Sequence, residues 1–216
     1  MIPIVPAVIP RQVDEVRTLL PKLRFSPEIH IDVVDGQFVP FVSWPYEPQG
    51  SPEEVKSVTD SFTLEVDLMV KDPLAAAAAW LKAGADMLVF HTETISVDNF
   101  AYFMERHRVS VSISAINDTP LETLLPYLEY ADGVQCMGIA KIGAQGLPFD
   151  ERTLERIAAI KKRYPYTPIT VDGSVNSETI VRLKHAGADR FICGSAIVKD
   201  PDPAAAHQRL QALITA

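Results

Sequence analysis

The stretch His30-Ile31-Asp32-Val33-Val34-Asp35-Gly36 sets an imidazole and a carboxylate two residues apart. Ile29, Ile31 and Val33 alternate with His30, Asp32 and Val34, which is the period of a β-strand. One face of this strand is aliphatic and the other carries both polar groups side by side. Asp35-Gly36 then ends it with a turn signal. Burying such a pair on an apolar strand is costly unless the two groups bind something or satisfy each other. Two readings follow: a metal or substrate held by both side chains, or a His–Asp hydrogen bond plugging the core.

Other strand-like runs offer similar groups. Leu64-Glu65-Val66-Asp67-Leu68-Met69 carries Glu65 and Asp67 opposite an aliphatic face, 86–94 carries His91, and Ile169-Thr170-Val171-Asp172 ends on a carboxylate before Gly173. A strand-end acid alone is more often a turn or cap residue than a catalyst. Several carboxylates converging on one place repel one another unless a cation joins them. Glycines accompany them at Gly143 and Gly146, at Gly173-Ser174 and at Gly194-Ser195. Singly each is a turn; together they let backbone N–H groups approach an anion such as phosphate.

The elements that must position these groups alternate. Strands are expected at 2–9, 28–36, 62–70, 86–94, 109–116, 133–139, 168–175 and 190–197, the last containing Gly194-Ser195. Helices are expected at 13–23, 51–59, 74–83, 97–106, 120–130, 151–163, 177–186 and 203–214. Ser51-Pro52-Glu53-Glu54 reads as an N-cap, a first-turn proline and two acids favoured by the helix dipole. Eight strand–helix pairs in strict alternation imply a parallel sheet with right-handed crossovers. In this length they point to an α/β fold, a closed (β/α)8 TIM barrel in one domain over 1–216. Function in such a barrel collects at the C-terminal strand ends, with phosphate cradled after the seventh and eighth strands. Ala83-Gly84-Ala85-Asp86 and Ala186-Gly187-Ala188-Asp189 echo each other, either as half-barrel duplication or as recurrence of a good helix-to-strand loop with glycine as C-cap. The aromatic loop from Phe38 to Tyr46 covers either the site or a subunit contact.

The 216 residues are 47% hydrophobic and 22% charged with a net charge of −8, which argues against nucleic-acid or anionic-membrane partners. Cys136 and Cys193 sit in apolar runs and read as small core residues rather than a disulfide. No signal peptide or membrane span is visible, so cytoplasmic localisation is the default.

His30-Ile31-Asp32-Val33-Val34-Asp35-Gly36-Gln37-Phe38-Val39-Pro40 resembles the second-strand signature of ribulose-phosphate 3-epimerases. Leu68-Met69-Val70, Ala83 to Asp86, Val171 to Asn176 and Gly194 to Ile197 resemble that family in the same order. The resemblance covers nearly the whole chain and implies a ribulose-phosphate-binding barrel that inverts C3 of D-ribulose 5-phosphate. It implies a divalent metal (Mn, Mg, Fe or Zn) held by His30, Asp32, Asp67 and Asp172, with Asp32 and Asp172 as the acid–base pair. A small-molecule sugar phosphate is then the expected ligand and a homo-oligomer the expected assembly. Met69, Met137, Gly143, Gly146, Gly173, Ser174, Gly194 and Ser195 are the expected substrate and phosphate contacts. Core packing accounts for the two methionines equally well.

The chain also departs from the family. Asp67 stands where the family has histidine, giving a harder ligand set that favours Mn²⁺ or Mg²⁺ over Zn²⁺. Ala7 replaces a serine, Ser174 replaces a glycine, and Ala140 to Gly146 replaces the usual sixth loop, with Lys141 read as a solvated lysine. A different ketose phosphate and a non-catalytic sugar-phosphate binder are therefore the alternatives. The lyase relatives of this barrel are a poorer match, because their third-strand Asp-x-Lys has Glu65-Val66-Asp67 in its place.

Overall fold

The computed structural model describes residues 4–215. Eight parallel strands close into a barrel in sequence order: β1 (Ile4–Val8), β2 (Glu28–Val34), β3 (Thr63–Met69), β4 (Met87–His91), β5 (Ser110–Ala115), β6 (Gly133–Met137), β7 (Ile169–Asp172) and β8 (Arg190–Cys193). The helices are α1 (Val13–Leu19), α2 (Lys56–Thr59), α3 (Pro73–Ala83), α4 (Val97–Arg106), α5 (Leu121–Leu124), α6 (Arg152–Arg163), α7 (Ile180–Ala186), α8 (Ser195–Val198) and α9 (Pro203–Thr215). Ile2 and Pro3, expected to begin the first strand, lie outside the described residues.

Strand alternation sorts the side chains. Ile29, Ile31 and Val33 of β2 join Leu64, Val66 and Leu68 of β3 in the main core, which they share with Ala77 and Trp80 of α3 and Phe100 of α4. The other face of β2 and β3 points into the barrel. There, register pairs His30 with Glu65 and Asp32 with Asp67. A slip of one residue would exchange the aliphatic and polar sets, so burial on both faces fixes the register.

The echoed helix-to-strand loops are register locks. Gly84 and Gly187 cap α3 and α7 in the left-handed conformation, with φ of 103° and 113°. The aspartate two residues on then accepts a backbone N–H from the preceding strand, Asp86 from Leu64 and Asp189 from Ile169. Asp132, which precedes β6, does the same for Val111.

Several elements differ from expectation. Pro21 and Pro126 tighten the ends of the first and fifth helical segments into 3₁₀ turns, Leu20–Leu23 and Leu125–Glu129, because proline has no N–H for the i→i−4 bond. The 51–59 helix opens with the expected N-cap, Ser51, which also forms a capping box with Glu54, but its first turn, Pro52–Val55, is 3₁₀. The seventh helix begins only at Ile180, because the Asn176 side chain accepts from the Glu178 and Thr179 N–H groups and holds 176–179 in a turn. The expected eighth strand is cut short: it ends at Cys193, and Gly194 caps a helical turn, α8, with Ile197 and Val198 donating to its carbonyl. A short apolar run such as Ala196-Ile197-Val198 cannot be told from a buried helix by periodicity. Gly194 and Ser195 are therefore at a turn, not within a strand.

Candidate active site

His30 is the centre of the polar interior. Its Nδ1 lies 2.6 Å from Glu65 Oε2 and its Nε2 3.2 Å from Asp32 Oδ1, all three groups being buried. Both readings of this pair are thus present in the geometry: a hydrogen bond, and a ring aimed at a cluster of acids. One donor atom from each of His30, Asp32, Asp67 and Asp172 lies within 4.8 Å of the others. Beyond that cluster Glu65 accepts from Arg190 Nη1 at 2.8 Å, and Arg190 Nη2 donates to Glu28 at 2.9 Å.

Asp67 is held from the other side. His91 Nε2 lies 2.8 Å from its Oδ1, and Gln135 Nε2 donates to its Oδ2 at 2.7 Å. A carboxylate oxygen has two lone pairs, so each keeps one for a further partner. The loop after β2 folds Phe38 against the His91 ring at 5.3 Å between centroids and buries Trp44 against Trp80. Phe41, Val42 and Tyr46 of the same loop stay exposed.

The electrostatics follow from burial and proximity. Burial, then the nearby Asp32 charge, pushes the Asp172 carboxyl well above the usual carboxylate range. Burial also raises Asp32, but His30 opposes it. For His30 burial favours the neutral ring, yet Asp32 and Glu65 outweigh it and raise the imidazole well above its ordinary value. Glu65 goes the other way: burial alone would raise it, but the bonds from His30 and Arg190 hold it down at about 2. His91 is raised by Asp67 despite its burial.

A cavity of about 160 Å³ opens above this cluster. Asp32 and Asp172 line it with Met69, Gly143, Gly146, Gly173, Ser174, Gly194 and Ser195. Asp172 keeps one edge open to the cavity, while His30 and Asp67 lie beneath. Met137 does not reach it. That side chain is buried among Val34, Met69, Ile139 and Ile142. Lys141 is exposed, as a solvated loop lysine should be. Cys136 and Cys193 are free and buried.

The glycines are used for close approach. A Cβ at Gly138 would stand 1.8 Å from the Gly173 carbonyl oxygen, so the ends of β6 and β7 meet next to Asp172 only because residue 138 has no side chain. Gly173 is left-handed (φ 94°), and Ser174 after it has φ 53°, the one non-glycine residue with positive φ among those described. Asn176 Nδ2 and Thr179 Oγ1 donate to the Ser174 carbonyl and brace this conformation. Gln145 reaches across the mouth: its Nε2 donates to the Ala7 carbonyl at 3.2 Å, and a Cβ at Gly194 would lie 2.4 Å from that nitrogen.

Gln135, Arg190 and Gln145 escaped the sequence reading. Gln135 carried a faint signal as the one amide in an apolar strand; Arg190 and Gln145 carried none, since a first-strand-residue arginine and a loop glutamine read as solvated.

A profile described as the ribulose-phosphate 3 epimerase family matches residues 4–198. The chain belongs to the ribulose-phosphate 3-epimerase family. It is an enzyme of the isomerase class. The ribulose-phosphate 3-epimerase of Mycobacterium tuberculosis H37Rv is 33% identical over 192 residues, covering 85% of this chain and 80% of the relative. The cytoplasmic isoform of Oryza sativa is 29% identical over 182 residues, covering 81% and 77%. Among solved structures, KGPDC from Streptococcus mutans superposes with a TM-score of 0.73 at 13% identity, covering 100% of this chain and 98% of the other. Orotidine 5'-phosphate decarboxylase from Pyrococcus horikoshii gives 0.71 at 18% identity, covering 99% of each. These two likenesses are of fold. Among the described residues no helix is long and apolar enough to cross a membrane.

Proposed function

We propose that this epimerase-family enzyme inverts C3 of D-ribulose 5-phosphate to give D-xylulose 5-phosphate, with Asp32 and Asp172 as its two proton-transfer groups and the chain 1–216 acting as one barrel. The observation that carries the reading is that these two carboxyls come from strands β2 and β7 and line one cavity, with His30 bonded to Asp32. Inversion at a carbon next to a carbonyl needs one ionised and one protonated group on opposite faces. Burial and the Asp32 charge favour the protonated form of Asp172, while His30 favours the ionised form of Asp32. Asp32 then removes the C3 proton, Asp172 returns one to the other face, and the reverse reaction exchanges the roles.

The donor set fits a divalent ion. Glu65 accepts at His30 Nδ1, which leaves Nε2 directed at the carboxyl groups of Asp32, Asp67 and Asp172, a cluster whose negative charge a cation would offset. His30, Asp32, Asp67 and Asp172 would hold Mn²⁺, Mg²⁺, Fe²⁺ or Zn²⁺, the three oxygens favouring the harder ions. Such an ion supplies Lewis-acid stabilisation of the negative charge that develops on the substrate oxygens. Gly143, Gly146, Gly173, Ser174, Gly194 and Ser195 would take the phosphate through backbone N–H groups at the far side of the cavity. Met69 would pack against the sugar carbons.

The test is exchange of the C3 proton with solvent, followed by NMR in deuterated water with D-ribulose 5-phosphate and each of the four ions. Exchange in the wild type and its loss in both Asp32→Asn and Asp172→Asn is expected. Near-normal exchange in both variants would overturn the assignment. Gln145 over Ala7 favours one second reading, epimerisation of a different ketose phosphate, which a substrate panel separates from the first.

A further inference from the structure

The barrel closes where β8 meets β1, and one side chain bridges that seam from inside. Arg190, at the start of β8, reaches past β1 to β2 and β3, donating to Glu28 Oε2 at 2.9 Å and to Glu65 Oε2 and Oε1 at 2.8 and 3.0 Å. Glu65 Oε2 is also the atom that His30 Nδ1 meets at 2.6 Å. One carboxylate oxygen therefore joins the closing strand of the barrel to the histidine of the ligand cluster. Arg190 is almost buried, and Glu65 and His30 are fully so.

We infer that Arg190 and Glu65 are positioning residues that fix which nitrogen of His30 faces the cation, an inference that rests on His30 being a metal ligand. A guanidinium has only donors, so a carboxylate that faces it can only accept. Glu65 then has nothing to offer His30 except a lone pair, and the ring must place its proton on Nδ1. Nε2, which faces Asp32, Asp67 and Asp172, is then the nitrogen whose lone pair a cation in the cluster would take up. Without Arg190, the Glu65 carboxylate would lose the donor that fixes its place, and the His30 ring would lose the partner that holds Nδ1 away from the cluster. The same pair ties strand closure to ring orientation: β8 cannot drift from β2 without pulling Glu65 off His30. Glu28, partly exposed, is the outer anchor of this chain. Charged partners that orient a metal-bound histidine typically change metal affinity by about 10- to 100-fold when removed.

The experiment is Mn²⁺ binding to chelator-stripped protein, read from the electron paramagnetic resonance signal of free Mn²⁺, in wild type, Arg190→Met, Arg190→Lys, Glu65→Gln and the Arg190→Met/Glu65→Gln double variant. Thermal unfolding without metal is measured alongside. Each of Arg190→Met and Glu65→Gln should weaken Mn²⁺ by about 10- to 100-fold, Arg190→Lys should recover part of the loss, and the double variant should be no worse than the poorer single. In the Zn²⁺-loaded protein the ¹⁵N shifts of His30 should report Nδ1–H in the wild type and a mixture in Glu65→Gln. Should Arg190→Met not fold, the nearly isosteric Glu65→Gln carries the test. Wild-type affinity in the variants, or full additivity in the double variant, would overturn the inference and leave the metal-site reading intact. A wild type that binds none of the four ions would remove that reading and this inference with it.

Discussion

On one side of the barrel mouth, β2, β3 and β7 present His30, Asp32, Asp67 and Asp172, each held by strand register, with Glu65, His91 and Gln135 bonded behind them. On the other, the turns after β6, β7 and β8 line the cavity with Gly143, Gly146, Gly173, Ser174, Gly194 and Ser195. The charged half depends on what each side chain is, and the glycine half on what is missing. Proton transfer needs groups of particular acidity at fixed places, which strands provide. Anion binding needs backbone N–H groups to come close, which small residues in turns provide. Substitutions should therefore affect chemistry on one side and binding or folding on the other.

The largest effect should fall on the charged half. Asp32→Asn and Asp172→Asn should each slow C3 exchange by at least about 10²–10⁴-fold, the typical worth of a general acid or base, with little change in KM. A loss confined to KM would erase the contrast. Gly138→Ala should be the severest change on the glycine side, since the new Cβ meets a backbone oxygen at 1.8 Å and backbone cannot step aside. A loss of about 1–3 kcal/mol in chemical denaturation, with reduced activity because Asp172 moves too, is expected.

Acidity distinguishes Glu65 from the groups it adjoins. Asp172 and Asp32 have raised affinities, so the metal-free native state takes up protons before the unfolded chain does and gains stability as pH falls toward the ordinary carboxylate range. His30 acts in the same direction: its raised value contributes stability below about pH 6.5 that is lost as pH rises through the native value. Glu65 opposes both, because its stabilisation is full above 4.5 and is lost as pH falls toward about 2. The Tm of metal-free protein should thus rise from neutral to mildly acidic pH and fall again in strong acid. Saturating Mn²⁺ should flatten or reverse the first limb, since a cation favours the ionised carboxylates. Differential scanning calorimetry with and without the ion reads both limbs.

Gly194→Ala should push Gln145 away from the Ala7 carbonyl and crowd the turn, raising KM by up to about tenfold, the worth of one neutral hydrogen bond, with kcat nearly unchanged. Smallest of all, Ser174→Gly should stabilise the protein by up to about 1–2 kcal/mol, because residue 174 is left-handed and only glycine is free of the Cβ penalty there.

Periodicity was enough for the alternation of elements, for the division of β2 and β3 into aliphatic and polar faces, and for the Gly84 and Gly187 caps. His30, Asp32 and Asp172 stood out because a polar residue on an apolar strand is costly and local in sequence. The end of β8 was not legible, because whether Gly194 continues a strand or opens a helical turn depends on what packs above it, here Gln145.

What the sequence determined by itself is which residues form strands, which face of each is polar, and that acids and glycines gather at strand ends, since each of these is a matter of neighbours along the chain. Only the tertiary structure decided that Glu65 meets Arg190 across 125 positions, that His91 and Gln135 hold Asp67, and that Gln145 reaches Ala7. Those pairings depend on barrel closure, which brings the first and last strands together, and no local pattern encodes the distance between side chains on strands that meet only when the ring is shut.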